Sequence, residues 1–326
     1  MSGCSILVLG CALQKGESAS TLLAGLQALG QVRVIPETPQ EVGQLRYLFR
    51  SHEVLVLDPV PYVFISRQVL EGSSLRFITV TTSGFDHLDV KAVHACEILV
   101  SNVPSYAREA VAEHTVGLLL ALFRKICSAD LLVRSGGFDF RPFLGTEIAG
   151  KTFGIVGLGE IGSRVAQLAQ AFGARVIASD IRPRQMLGVE MVLLRQLLEE
   201  SDIVSLHADL NPTSIGLLGP RQLSWMKPSA VLVNTARGRL VDEKALVEAL
   251  RGGKIAGAAL DVLTVEKAGN KNPLWDLSNV VLSPHVAFCT REALVGRNQM
   301  VLENVQGYLK GSPVHLVGAE ELVTCR

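Results

Sequence analysis

The stretch TFGIVGLGEIG, residues 152–162, followed by Ser179-Asp180, decides how this chain is read. Residues 153–156 make a short apolar run suited to a buried strand, and Ile161, Val165, Leu168, Ala169 and Phe172 then recur at helical spacing. Gly157 permits a tight turn, Gly159 lets backbone approach a pyrophosphate, and Gly162 lets helix and strand pack closely. Gly173 ends the helix, residues 175–178 form a second strand, and Asp180 lies 18 residues past Gly162. The opening amides of such a helix, at the positive end of its dipole, favour phosphate. A carboxylate at Asp180 would accept from both ribose hydroxyls of NAD and repel the extra phosphate of NADP. NAD is therefore the expected cofactor, held by Gly157, Gly159, Glu160, Ile161, Gly162 and Asp180. Arg182 and Arg184 follow closely and would tolerate a 2′-phosphate, so NADP stands second. An ordinary glycine turn would not need strand, helix, strand and acid at these distances.

At 326 residues, 48% of them apolar, the chain has room for two domains with substantial cores. Lys plus Arg equals Asp plus Glu, 31 of each, so no basic excess points to nucleic acid or an anionic membrane. Cys4, Cys11, Cys96, Cys127, Cys289 and Cys325 show no CxxC spacing, which suggests reduced thiols. No signal peptide is legible at the amino terminus, and the apolar run 115–123 is too short to span a bilayer, which takes ~20 residues. The expectation is a cytoplasmic protein with no membrane partner.

Strand-like and helix-like segments alternate, which implies parallel sheets covered on both faces. Strands are expected at 6–9, 32–35, 54–57, 76–81 and 98–100, with a helix at 20–29. A long apolar helix at 109–124, read as a link between domains, and a polar stretch at 135–150 precede the glycine motif. Further strands are expected at 203–206, 230–234, 257–260 and 280–282, and a last helix at 291–310 is expected to return to the first domain. The fold class is α/β, with two doubly wound parallel-sheet domains. A flavodoxin-like substrate-binding domain is assigned to 1–102 plus 287–326, and a Rossmann NAD-binding domain to 103–286.

In open α/β sheets ligands bind beyond the carboxyl ends of the strands. One strand ends in Thr235-Ala-Arg-Gly238, the next in Asp261 with Glu266 five residues on, and the last in Pro284-His285. Such groups suit hydride transfer on a 2-keto or 2-hydroxy acid. Arg237 offers two parallel donors to carboxylate and carbonyl oxygens. His285 carries an imidazole, which can give or take the substrate proton, with Glu266 on its other ring nitrogen stabilising imidazolium. Ser83-Gly84 ends an earlier strand and offers backbone amides to a carboxylate. Asp261 is expected to accept from the nicotinamide carboxamide, and His207, Thr213, Thr235 and Ala236 complete the cofactor contacts. Taken singly, each residue is as readily a solvated or structural group; their joint placement after the glycine motif favours chemistry. His52, His87, His94, His114 and His315 have no metal-site spacing and read as structural or solvated. Cys289 reads as a small apolar filler.

The pattern resembles the NAD-dependent D-isomer-specific 2-hydroxyacid dehydrogenases over nearly the whole chain. The resemblance rests on Gly157-Leu-Gly-Glu-Ile-Gly162 with Asp180, on Val233-Asn-Thr-Ala-Arg-Gly238 with Val241-Asp-Glu243, and on Asp261-Val262 with Glu266. Pro273-Leu-Trp-Asp-Leu277, Ser283-Pro-His-Val-Ala287, Ser83-Gly-Phe-Asp86 and Val111-Ala-Glu-His114 extend it. It implies a triad of Arg237, Glu266 and His285, a cleft between two domains that close on substrate, and a homodimer formed by the cofactor domains. The chain departs from the family at Lys267, where a proline usually follows the glutamate, at Ala107-Arg108 before the Val-Ala-Glu motif, and at Asp209. Asp58-Pro59 stands where phosphoglycerate-handling relatives carry Arg and Ser, and Ser83 where phosphite-oxidising relatives carry Lys. Glu266 argues against formate dehydrogenases of this fold, which usually lack it. Two other functions remain open at this point: oxidation of an anion such as phosphite or formate, and dinucleotide sensing of the corepressor kind, which usually comes with long disordered extensions. The substrate pocket is expected from residues 58–62, Tyr106 and the region of Phe288.

Overall fold

The computed structural model describes residues 4–10, 17–58, 63–182, 184–266 and 271–317. The chain forms two compact units, Met1–Ala107 with Thr290–Arg326, and Arg108–Cys289.

In the first unit five strands, β1 (Cys4–Leu9), β2 (Gly30–Ile35), β3 (Val54–Leu57), β4 (Phe77–Val80) and β5 (Leu99–Ser101), pair in parallel in the order β2-β1-β3-β4-β5. This is the flavodoxin-like doubly wound order. Central strands such as VLVL and FITV are apolar or uncharged at every position because both sheet faces are covered. Leu7, Leu9, Leu55, Leu57, Ile78 and Val80 pack on one face with Leu45 and Phe49; Ile6, Val8, Val54, Val56 and Phe77 pack on the other with Leu22, Leu26, Val301 and Val305. The last helix, Arg291–Leu309, belongs to this second face. Thr290 caps it by accepting from the Ala293 amide at 3.2 Å, and near its end Tyr308 stacks on Phe77 with ring centroids 4.7 Å apart.

The second unit holds a seven-stranded sheet: β6 (Thr152–Val156), β7 (Arg175–Ser179), β8 (Val189–Met191), β9 (Ile203–Leu206), β10 (Val231–Asn234), β11 (Gly257–Leu260) and β12 (Val280–Leu282). The order is β12-β11-β10-β9-β6-β7-β8, and all pairs are parallel. Strand order reverses at β6, between β7 and β9, which is the switch point where open α/β sheets bind ligands. The Arg108–Phe123 helix packs as a layer of this unit, against β10, β11, β12 and the Glu160–Ala171 helix, with Ala112, Thr115 and Leu119 fully buried. Elements that the sequence reading did not place include the helix Ile126–Arg134 and the three-residue edge strand β8.

The glycine motif takes the form its residues require. Gly157 has φ +91°, in the left-handed region, and its amide donates to the Ser179 carbonyl at 2.8 Å. A β-carbon on Gly162 would overlap the Gly157 carbonyl oxygen, whereas one on Gly159 would meet nothing within 4 Å. Gly162→Ala should therefore cost about 1–3 kcal/mol of stability by forcing the helix off the strand, while Gly159→Ala should change it by less than ~0.5 kcal/mol. Urea unfolding of both variants checks this; equal midpoints would contradict it.

Candidate active site

Because all seven strands of the second unit run the same way, their carboxyl ends form one edge. Along it, in spatial order, stand Asp180 after β7, Gly157 after β6, His207 after β9, Thr235 to Arg237 after β10, Asp261 and Glu266 after β11, and His285 after β12. Neighbouring strands are ~4.8 Å apart. Residues as far apart in sequence as Gly157 and His285 thus line one edge.

At the β6–β7 end, the Asp180 carboxylate lies against the glycine turn. Its Oδ2 accepts from the Leu158 amide at 2.7 Å and its Oδ1 from the Arg182 amide at 2.8 Å, with Arg184 Nε at 3.5 Å from Oδ2. Glu160 heads the following helix and is exposed, while Ile161 packs into the core below. These glycines, with the space over Gly159, fit a dinucleotide phosphate cradle.

His207 closes the next strand. Its Nε2 shares a hydrogen bond with Ser205 Oγ at 2.8 Å, and its Nδ1 is sealed from solvent without a hydrogen-bond partner. Burial pushes the imidazole down to about 3, so the ring is neutral near pH 7. Thr213 is exposed, and both its amide and its hydroxyl donate to Asn211 Oδ1. The Thr235 hydroxyl turns inward and lies 2.8 Å from that of Thr115 on the Arg108–Phe123 helix.

Buried Asn234, which sequence reasoning passed over, shapes the Arg237 turn. Its Oδ1 accepts from the Ala236 amide at 3.0 Å and its Nδ2 donates to the Arg237 carbonyl at 2.9 Å. Arg237 is half-buried and its Nη1 donates to the Ala236 carbonyl at 2.9 Å. Gly238 lets this turn press on the Leu263 backbone, where a β-carbon would overlap the chain. That backbone leads to Glu266, whose Oε1 accepts from the Leu263 amide at 3.3 Å.

Glu266 and His285 meet directly, Oε2 to Nδ1 at 2.7 Å, with side chains 40% and 38% exposed. An ionised carboxylate only accepts, so the proton of that bond sits on Nδ1 and Nε2 is left as the basic nitrogen of the neutral ring. Phe288 stands edge-on to the imidazole at 6.1 Å between centroids. The Gly238–Leu263 approach connects the loop of Arg237 to the loop that carries Glu266.

Asp261, expected at the nicotinamide carboxamide, is held by the loop that follows β12. It is 1% exposed and its carboxylate faces inward: Oδ1 accepts from Ser283 Oγ at 2.5 Å and the Val286 amide at 2.9 Å, and Oδ2 from the Ala287 amide at 2.8 Å. Burial alone would raise its pKa, but hydrogen bonds from His114, Ser283 and the two amides outweigh that and hold it at about 2. The carboxylate organises the loop that carries His285.

In the first unit, Ser83 and Gly84 follow β4. The Ser83 hydroxyl donates to the Val103 carbonyl at 2.8 Å and the Ser83 carbonyl accepts from Asn102 Nδ2 at 2.8 Å, so any ligand contact there falls to backbone amides. Among the described residues no group of three or more His, Cys, Asp or Glu could hold a metal ion, and no helix is long and apolar enough to cross a membrane. Lys267 and residues 59–62 lie outside the described residues.

Comparison with known proteins gives the class. Residues 116–287 match the model of the D-isomer specific 2-hydroxyacid dehydrogenase NAD binding domain. A glyoxylate reductase of Aeropyrum pernix is 43% identical over 262 residues, which span 77% of this chain and 78% of that protein. A glycerate dehydrogenase of Methylorubrum extorquens is 36% identical over 293 residues, 86% of this chain and 90% of the relative. The crystal structure of a glyoxylate reductase from Paecilomyes thermophila superposes with a TM-score of 0.89 at 28% identity, covering 98% of this chain and all of that one. An acyclic imino acid reductase in complex with NADPH and D-Arg superposes with a TM-score of 0.88 at 34% identity, covering 96% of this chain and 100% of that one. The chain belongs to the D-isomer-specific 2-hydroxyacid dehydrogenase family. It is an oxidoreductase of that class and uses a nicotinamide dinucleotide.

The state of His207 has a consequence for acid stability. Between the ordinary histidine value of ~6.5 and about 3, the unfolded chain takes up a proton that the folded chain refuses. Stability should therefore fall as pH drops through this window, by up to ~1.4 kcal/mol per pH unit from this residue. His207→Asn should flatten the pH dependence of the urea midpoint between pH 6.5 and 4; an unchanged slope would contradict the burial of the ring.

Proposed function

We propose that this chain reduces a small 2-keto acid, of the glyoxylate or hydroxypyruvate kind, with NADH to the 2-hydroxy acid, the D isomer wherever C2 becomes a stereocentre. The observation that carries the reading is the 2.7 Å bond between His285 Nδ1 and Glu266 Oε2, on the same sheet edge as Arg237 and the glycine cradle. Relatives named glyoxylate reductase and glycerate dehydrogenase support the substrate class. Asp58, where phosphoglycerate-handling relatives carry Arg, disfavours a phosphorylated substrate.

The bound reduced cofactor supplies the hydride. Arg237 holds the substrate carboxylate and polarises the keto oxygen through its paired donors. His285 gives its Nε2 proton to that oxygen as C2 is reduced, and in the reverse direction Nε2 takes the hydroxyl proton. Glu266 orients the ring through Nδ1 and stabilises the imidazolium form. Ser83 and Gly84 are assigned to the substrate through their amides, and Thr235, Ala236, His207 and Thr213 to the cofactor. Asp180 gives the preference for NAD over NADP. The four described cysteines are free, which fits a reducing cytoplasm.

The chain is also proposed to form a homodimer through its cofactor-binding units. In support, the Ile126–Arg134 helix buries none of its residues, and Phe138, Phe140 and Leu144 just after it are 95%, 87% and 86% exposed. Phe138→Asp with Phe140→Asp should halve the mass measured by light scattering; an unaltered mass would count against this interface.

A panel of 2-keto acids with NADH and with NADPH tests the activity. Turnover should appear with a small keto acid and favour NADH, and Arg237→Ala should lower kcat/KM by ~100-fold or more while NADH binding, read by fluorescence, stays within a few-fold. No turnover of any keto acid, or full activity in the variant, would sink the reading.

A further inference from the structure

His285 has φ +53°, a left-handed conformation that costs a non-glycine residue energy and persists only where its surroundings impose it. Those surroundings are explicit. The His285 amide donates to the Asp261 carbonyl at 2.7 Å, and the next two amides, Val286 and Ala287, donate to the two oxygens of the Asp261 carboxylate. A left-handed residue followed by successive amides converging on one anion is a backbone nest. The strained conformation of His285 is thus the geometry that wraps its loop around Asp261.

The carboxylate must itself be held. Ser283 has one hydroxyl proton, and it goes to Asp261 Oδ1 at 2.5 Å. His114 Nε2 lies 3.0 Å from Ser283 Oγ, so with that proton committed the ring must be the donor, from the Nε2–H form. The same nitrogen lies 3.4 Å from Asp261 Oδ1. The next residue, Thr115, bonds the Thr235 hydroxyl at the start of the Arg237 turn. One stretch of the Arg108–Phe123 helix therefore braces the carboxyl ends of β10, β11 and β12 from behind.

We infer that His114 is a positioning residue for His285, acting through Ser283 and Asp261 to fix the backbone that presents the imidazole to Glu266. The inference rests on the acid–base role proposed for His285. It gives His114, read from the sequence as structural or solvated, a specific link to turnover.

The test uses the full-length chain with His114→Leu, His114→Gln and Ser283→Ala. The leucine variant should lose roughly 10-fold or more in kcat, with KM for NADH within about two-fold. The glutamine variant, whose amide can still donate to Ser283, should recover most of the turnover. Ser283→Ala removes the link without touching the helix and should repeat the loss, which keeps the test decisive if the leucine variant folds poorly. A second readout needs neither cofactor nor substrate: in protein labelled with ¹³C-histidine, the His285 ring resonance, identified by its loss in His285→Gln, should shift or split in His114→Leu and Ser283→Ala and remain in place in His114→Gln. An unmoved His285 resonance in both deletions, or unchanged kcat in both, would overturn the inference. Absence of keto-acid turnover in the parent chain would instead refute the proposed function, with the resonance still deciding the link.

Discussion

The structure depends on the parallel pairing of β6, β7 and β9 to β12, which places the carboxyl ends followed by Gly157, Asp180, His207, Arg237, Asp261 and His285 on one edge. Parallel strands need crossovers over the faces, so the sheet is buried on both sides. That burial leaves the edge as the place where backbone amides and polar side chains can meet a ligand. Asp180 and the glycine turn sit at one end of the row and His285 at the other, an arrangement suited to a ligand with a phosphate-bearing middle and a reactive ring.

Holding that edge in shape falls to buried polar side chains. Asn234 staples the Arg237 turn, and Asp261 gathers the His285 loop around its carboxylate. Each is a group whose burial would be costly without these partners. Apart from the Ser283 hydroxyl and His114 at Asp261, these partners are backbone amides or carbonyls of the loop being shaped, so satisfying the buried group and shaping the loop are the same event. The Glu266–His285 bond is more exposed and leaves the ring open to solvent.

The elements that could be read from sequence are those whose burial is uniform. Strands 54–57, 203–206, 257–260 and 280–282 are short apolar runs between turn residues, and the structure reproduces each of those ranges. The helix Ile126–Arg134 was not placed from sequence; it buries no residue, and its apolar Ile126, Leu131 and Val133 lie exposed. Edge strand β8 reads Val-Glu-Met with no fully buried position and carries no periodic signal. Arg237, Glu266 and His285 could be singled out as candidates because each follows closely on the carboxyl end of a strand. The inward turn of Asp261 and the bracing by Asn234, Ser283 and His114 were not, since they join residues up to 169 positions apart and depend on which rotamer the fold selects.

Isotope transfer tests the central claim most directly. Hydroxypyruvate would be reduced by the purified chain with NADH carrying deuterium at C4, using each C4 diastereomer in turn, and the glycerate analysed by chiral chromatography and mass spectrometry. The expected product is D-glycerate with one deuterium at C2 from one of the two cofactors. Unlabelled glycerate from both, the L enantiomer, or no glycerate at all would contradict the assignment of this edge to hydride transfer on a 2-keto acid.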